Sequence, residues 1–335
     1  MASRNYPFNT VENSKRAERL RRRRRVRASV LSICTVIILL LLSFIILLVG
    51  FIAERIGVLQ PNTPPSTSET PTEKTPSASP VYVTVSWESK KINSGVLVLV
   101  NDNHSFDPAT VSSLIKIKEN RTQINGTNPY MLNTTYAIWM EREAFDAMER
   151  MMQKYFEISE GDGSVMIKYA YRTLADQEAL NSSVAAGHSD HHTGYCIALQ
   201  DGNAEGFPAL DDGHWIYSNA YKFGFVQRYP VGKESYTGVS DYEHCFRYVG
   251  IPHATYMYNS GLCLEEYVQL LKTSYSGGEH LAITGTDGNQ YEVYYVPASD
   301  TELTSIKVPK DHSYTVSGDN AGGFIVTVNL SDSNA

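Results

Sequence analysis

The chain has 335 residues, with 29 Lys/Arg against 36 Asp/Glu and only four cysteines. Residues 1–27 hold ten of the basic and two of the acidic residues, which leaves 19 and 34 for the remainder, a net of −15. An acidic remainder of that size excludes a nucleic-acid surface and tight attachment to anionic wall polymers, and four cysteines are too few for a disulfide scaffold.

Arg21 to Arg25 and Arg27, preceded by Lys15, Arg16 and Arg19, stand in front of a stretch from Ala28 to Ala53 without a single charge. At 1.5 Å per helical residue that stretch reaches about 39 Å, enough to cross a bilayer with some tilt. It is too long for the apolar region of a cleaved signal peptide, about 7–15 residues. The arginine excess on its N-terminal side puts residues 1–27 in the cytoplasm and everything after Glu54 outside. The expectation is a single-pass protein of the cell membrane, with a basic cytoplasmic segment at 1–27 and a transmembrane helix at 28–53. Residues 54–80 are rich in Pro, Ser and Thr and almost devoid of large apolar side chains, so they form an extended stalk. Beyond the stalk lie Cys196, Cys245 and Cys263. Three is an odd number, so at least one thiol is free or bonded to another chain.

Folded character begins at Val81. The β-branched runs VYVTV (81–85) and GVLVLV (95–100) predict strands. Ala144, Met148, Met151 and Tyr155 fall at helical spacing, which predicts an amphipathic helix over 141–157 whose methionines pack in the core. VMIKYAY (165–171) reads as a buried strand, TLADQEAL (173–180) as a helix, and LCLEEY as a further helix that buries Cys263 as a small hydrophobe. Asp287-Gly288 between two strand-like runs predicts a hairpin, and YTVSGDNAGGFIVTV (314–328) a second one. These readings divide the folded part into a main domain at 81–278 and a small β-hairpin module at 279–335.

The stretch 167–272 carries the chemistry. It contains KYAYRTLADQEAL, then VAAGHSDHHTGYCIALQDG, then YKFGFVQRYPVGKESYTG and finally YEHCFRYVG. In this order and spacing it resembles the VanY-type D-alanyl-D-alanine carboxypeptidases. Those proteins carry a Y-R-S-x-x-x-Q segment, then S-x-H-x-x-G-x-A-x-D, Y-G-F-x-x-R-Y-P-x-x-K-x-x-x-T-G and E-x-W-H-x-R-Y-V-G. The resemblance implies an α+β fold: a compact zinc D,D-peptidase-like domain with a small, mainly antiparallel sheet. It also implies a catalytic zinc held by the His and Asp of the second motif and the His of the last. Three protein ligands leave a position for water, and a Glu three residues before the last His exchanges its proton.

Carried over position by position, the first ligand is His191, the Asp ligand is Ala198, the second His ligand is Cys245, and the general acid/base is Tyr242. Arg172 matches the arginine that anchors the substrate carboxylate, Gln177 the glutamine after it, and Ser189 the serine ahead of the first ligand. Arg228, Tyr229, Pro230, Lys233, Thr237 and Gly238 match the wall of the cleft. A one-residue register shift would put Glu243 at the acid/base position and His244 near the metal, with Asp201 as a substitute oxygen donor reached through a bulge. Cys245 has three readings: a mixed metal site with His191 and Cys196 or His244, a disulfide to Cys196 across the pocket, or an inert buried thiol. Cys196 and Ala198 share strand parity and face that pocket together. His192, His214, His253, His280 and His312 have no ligand spacing and read as surface or hydrogen-bonded histidines.

Two functions follow. One is a membrane-tethered pseudopeptidase that binds peptidoglycan stem peptides, or a protein partner, without cutting. The other is an active zinc D,D-carboxypeptidase with a rebuilt metal site. A function carried by the β module alone stands beside them.

Overall fold

The computed structural model describes residues 81–180, 182–206, 209–211, 213–239 and 244–333. The expected cytoplasmic segment, membrane helix and stalk lie outside the described residues, as do Tyr242 and Glu243. Among the described residues no helix is long and apolar enough to cross a membrane.

Strand β2 (Leu114–Lys116) pairs antiparallel with β4 (Trp139–Glu141), and the site is organised by a separate five-stranded sheet. Its strands are β3 (Met131–Leu132), β5 (Val165–Tyr169), β6 (Cys196–Asp201), β8 (Cys245–Tyr248) and β7 (Phe225–Gln227), in that order across the sheet. Only β3 and β5 run parallel; the other neighbours are antiparallel, as expected for this α+β class. Helix α1 (Arg142–Ile158) covers the sheet and buries Ala144, Phe145, Met148, Met151 and Tyr155 with Ile167, Ile197 and Leu199. The predicted 3.6-residue stripe is therefore the contact stripe. Helix α2 (Leu174–Ala179) starts on a capping box in which Thr173 and Asp176 each satisfy the other's backbone N–H, worth about 1 kcal/mol.

The two predicted hairpins are present: β9 (Leu281–Thr284) with β10 (Gln290–Pro297), and β12 (His312–Gly318) with β13 (Gly323–Ser333). Pairing of β10 with β13 joins them into one four-stranded sheet. A strand not anticipated, β11 (Leu303–Pro309), pairs antiparallel with β1 (Tyr82–Glu88), so the start of the folded region joins its end. The four-stranded sheet does not stand apart. Leu281, Ile283, Val293 and Ile325 share a core with Met257 of α3 (Ile251–Ser260) and with Leu264, Tyr267 and Val268 of α4 (Leu264–Ser274). Cys263 is buried and free, at the N-cap of α4 rather than within it.

The expected strand at 95–100 is not a strand. Residues 97–100 are buried, and side chains and loops satisfy the backbone: Arg247 donates to Val96 O at 3.0 Å and Val98 O at 3.2 Å, and Arg228 to Val100 O at 3.3 Å. Leu97 N–H donates to Ser317 Oγ and Leu99 N–H to Asp319 O. A β-branched run reads as a strand because it suits an extended backbone, but a ladder also needs a neighbouring strand. Two arginines take that place here.

His253 links α3 to the C-terminal sheet, with Nδ1 at 2.8 Å from Tyr267 Oη and Nε2 at 2.9 Å from Thr327 Oγ1. Burial pushes its imidazole down to about 3. Between pH 3 and 6.5 the unfolded chain therefore binds a proton that the folded chain refuses, so this histidine's contribution is lost as pH falls below 6.5. His253→Gln is expected to flatten the acid limb of stability against pH by about 1.4 kcal/mol per pH unit across that window. Urea titrations at several pH values measure this directly.

Candidate active site and the cysteine pair

His191 sits in a short 3-10 turn, Asp190–Thr193, between α2 and β6. Gly194 closes that turn at φ +75°, and a Cβ there would lie 3.1 Å from both Glu141 Cγ and Leu114 Cδ2. Left-handed backbone and lack of space both call for glycine. The turn is held from behind by a buried ionic network. Asp190 Oδ1 accepts from Arg247 Nη1 at 2.6 Å, and its Oδ2 lies 3.3 Å from Arg228 Nε. Arg228 in turn makes a fork to Glu265 at 2.7 and 2.9 Å. Burial alone would raise the Asp190 carboxyl, but Arg247 and Arg228 overcome it and hold it below the usual carboxylate range. Arg228 is therefore a buried bridge and not part of the cleft wall, and Lys233 is paired with Glu266. A fully buried guanidinium is costly unless it is paired, and Asp190 and Glu265 supply that pairing.

The His191 imidazole is neutral. Burial, then the nearby Arg172 charge, push it down to about 3. Its Nδ1 lies 2.7 Å from Ala170 O, so Nδ1 carries the hydrogen and Nε2 the lone pair. Strand pairing puts Ala198 directly opposite Cys245 and Cys196 opposite Arg247. Cys245, which the motif places at the second-His position, opens β8. His244 lies outside the strand and its carbonyl accepts from Leu199 N–H. Asp201 caps the turn after β6, accepting from the N–H groups of Asn203 and Ala204, and supplies no substitute ligand.

Cys196 and Cys245 are joined as a disulfide, with Cα atoms 6.7 Å apart. Cys196 shares its predicted strand parity with Ala198, which is paired with Cys245, so both sulfurs lie on one face beside His191, and Tyr229 packs on the pair. Cys196 stands where the family motif has its Ala, so two positions differ together: the Ala of S-x-H-x-x-G-x-A-x-D and the His of W-H-x-R-Y-V-G. The family's zinc therefore does not fit these residues. Ala198 offers no donor, and the sulfur at the third ligand position is bonded to carbon and sulfur. A covalent link closes the 49-residue separation instead. By chain entropy it contributes about 4 kcal/mol, and Cys196→Ala is expected to lower unfolding stability by that amount, read from the urea midpoint.

Beside this cluster runs a cavity of about 560 Å³ with an apolar, aromatic lining that includes Tyr136, Trp139, Tyr169 and Arg172. Tyr136 and Tyr169 are stacked, their centroids 5.7 Å apart. The Arg172 guanidinium lies over the Tyr169 ring at 4.9 Å and donates to Gln177 Oε1 at 2.6 Å. Gln177 is fixed by donating to Val184 O. Among the described residues Arg172 has no carboxylate within ion-pair distance. Ser189 is buried, and its carbonyl accepts from His192 N–H. His191, Cys196 and Cys245 are no more than 2 % exposed. None of the three lines the cavity. The aromatic walls and the Asp190 network were not anticipated; the run of Tyr and Trp between 136 and 171 was the available signal for the former.

Residues 137–251 match the family described as VanY, D-alanyl-D-alanine carboxypeptidase. A D-alanyl-D-alanine carboxypeptidase of Enterococcus faecium is 30% identical over 269 residues, covering 78% of this chain and 80% of that one. One from Enterococcus faecalis is 41% identical over 100 residues, 29% of this chain and 36% of its own length. Among solved structures, the vancomycin-resistance D,D-dipeptidase VanXYg, in complex with a D-Ala-D-Ala phosphinate analogue, is 30% identical. It has a TM-score of 0.62 and covers 74% of this chain and 99% of that one. A solved VanY variant is in complex with Zn(II); its TM-score of 0.38 gives it no weight for this chain. On the fold, the ordered motifs and the relative that it covers over four-fifths of its length, the chain belongs to the VanY family of D-alanyl-D-alanine carboxypeptidases.

Proposed function

We propose that the protein is a membrane-anchored, extracytoplasmic member of this family that binds peptidoglycan stem peptides ending in D-Ala-D-Ala without cutting them. The observation that carries the reading is Arg172. Its guanidinium is almost buried at the wall of an aromatic cavity, oriented by Gln177 and Tyr169, with no carboxylate in ion-pair range among the described residues. A desolvated cation of that kind gains most from an incoming anion, and the arginine fork suits a terminal carboxylate. The aromatic rings beside it suit the methyl groups and backbone of a small peptide. The VanXYg complex with a D-Ala-D-Ala analogue supports the same ligand class. Loss of the metal donors supports binding without hydrolysis. The arginine run and the uncharged stretch at 28–53 support the anchor.

Titration calorimetry on the full chain in detergent tests this. A pentapeptide ending in D-Ala-D-Ala is expected to bind saturably. Its C-terminal amide, or the Arg172→Gln variant, loses about 1.5–3 kcal/mol, roughly tenfold to 150-fold in affinity. Equal affinity for acid and amide would remove the carboxylate anchor and the proposal with it.

A further inference from the structure

The disulfide beside His191 occupies the place of a metal site, and its reduced form has a donor set of its own. His191, Cys196 and Cys245 are all buried, and the ligand atoms they offer lie within 4.8 Å of one another. Zinc with two thiolates and an imidazole needs metal–ligand distances of about 2.3 and 2.0 Å, which puts the three donors somewhat under 4 Å apart. Rotation of the two thiols after the sulfur–sulfur bond opens is a movement of that size. The imidazole needs no rearrangement of tautomer, because the Nδ1–H contact to Ala170 O leaves the lone pair on Nε2. Its backbone is anchored as well: Arg172 N–H donates to His191 O, and the adjacent Asp190 is clamped by two arginines. The sulfurs come from neighbouring strands, β6 and β8, whose spacing is set by the antiparallel pairing of their backbones. Ala198, paired with Cys245, adds no carboxylate to this donor set.

We propose that His191, Cys196 and Cys245 form a thiol-gated site for a soft or borderline divalent cation of the zinc class, closed by the disulfide and opened by a dithiol reductant. In the gating step one thiolate of the reductant attacks a sulfur of the Cys196–Cys245 bond, and its second thiolate then displaces the remaining protein sulfur. The reductant leaves as its own disulfide and the protein gains two thiols. Cation binding releases both thiol protons and makes two sulfur–metal bonds and one nitrogen–metal bond. This set differs from the family's His/Asp/His donors and favours thiophilic cations over magnesium or calcium. The site does not depend on the peptide-binding reading, and a failure of either leaves the other standing.

The test uses the full chain in detergent, either oxidised or reduced with a dithiol that is then removed by gel filtration under anaerobic conditions. Alkylation after unfolding checks the state: Cys263 alone reacts in the oxidised chain, and Cys196, Cys245 and Cys263 all react in the reduced one. Titration with Co²⁺ and then Zn²⁺ is followed by absorbance and by metal analysis after gel filtration. The reduced chain is expected to bind one ion per chain, with a sulfur-to-cobalt charge-transfer band and the visible bands of tetrahedral Co²⁺, while the oxidised chain binds none. Cys196→Ala, which places the family's own residue there, removes stoichiometric binding. His191→Ala weakens it by more than about tenfold, and Cys263→Ser leaves it unchanged. Binding by the oxidised chain, absence of the thiolate band, or undiminished affinity in both Cys196→Ala and His191→Ala would overturn the assignment.

Discussion

Asp190→Asn is expected to destabilise the folded domain by about 3–5 kcal/mol, the scale for breaking a buried ion pair. The substitution keeps the shape of the side chain and removes its charge. Two arginines, both fully buried, then face an amide where they had a carboxylate. Arg228 keeps its fork to Glu265, but Arg247 has no other carboxylate in ion-pair range among the described residues. The same guanidinium donates to the carbonyls of Val96 and Val98, so its loss of position also frees the buried 95–100 segment. Domains of this kind have total stabilities of about 5–15 kcal/mol, so the loss is a large fraction of the whole. Guanidinium or urea midpoints give the number. Combining Asp190→Asn with Arg247→Met should recover part of it, because removal of both charges ends the uncompensated burial. A single variant within about 1 kcal/mol of wild type would show that the network is not what holds the His191 turn.

The second large effect is a gain. Ala198→Asp, Tyr242→Glu and Cys245→His, with Cys196→Ala to match the family's motif, are expected together to create zinc-dependent release of D-Ala from peptides ending in D-Ala-D-Ala. Each substitution alone should stay at background. Donors and acid/base act as a unit, so three of four parts leave an incomplete centre. The combination should exceed any single variant by a factor on the order of 10³. Cys196→Ala and Cys245→His both remove the disulfide, so the variant loses its covalent link until metal replaces it. Its melting temperature should rise on adding zinc, where the wild type's should not. Full activity from one substitution would mean that the ligand positions have been wrongly matched.

Much of this was legible in the chain because the signals were local. The spacing of Ala144, Met148, Met151 and Tyr155 defines a helix face, and that face is the contact with the sheet. Asp287-Gly288 marks a turn through its own backbone preference, and the strands on both sides of it pair. The parity of Cys196 and Ala198 places the sulfur beside His191 once β6 is a strand. What stayed hidden depends on partners far away in sequence. The 95–100 run has strand composition but takes its hydrogen bonds from Arg228 and Arg247, 128 to 151 residues on. Arg228 itself reads as a cleft residue from its motif, and only the fold shows Asp190 and Glu265 on both sides of it. The β11 strand, with polar Thr304, Ser305 and Lys307 in its middle, shows no continuous apolar run, and its pairing with β1 joins residues more than two hundred positions apart. Arg172 was open to an ion-pair reading, and among the described residues it is Gln177 and the Tyr169 ring, not a carboxylate, that stand beside it.

The most direct test of binding without hydrolysis is to follow both in one sample. The oxidised full chain, supplied with zinc, is mixed with a pentapeptide ending in D-Ala-D-Ala; bound peptide is read by equilibrium dialysis and free D-Ala by a coupled oxidase assay. Saturable binding of intact peptide, with D-Ala release no faster than in buffer, is the predicted result. Zinc-dependent release of D-Ala that disappears in His191→Ala would contradict it.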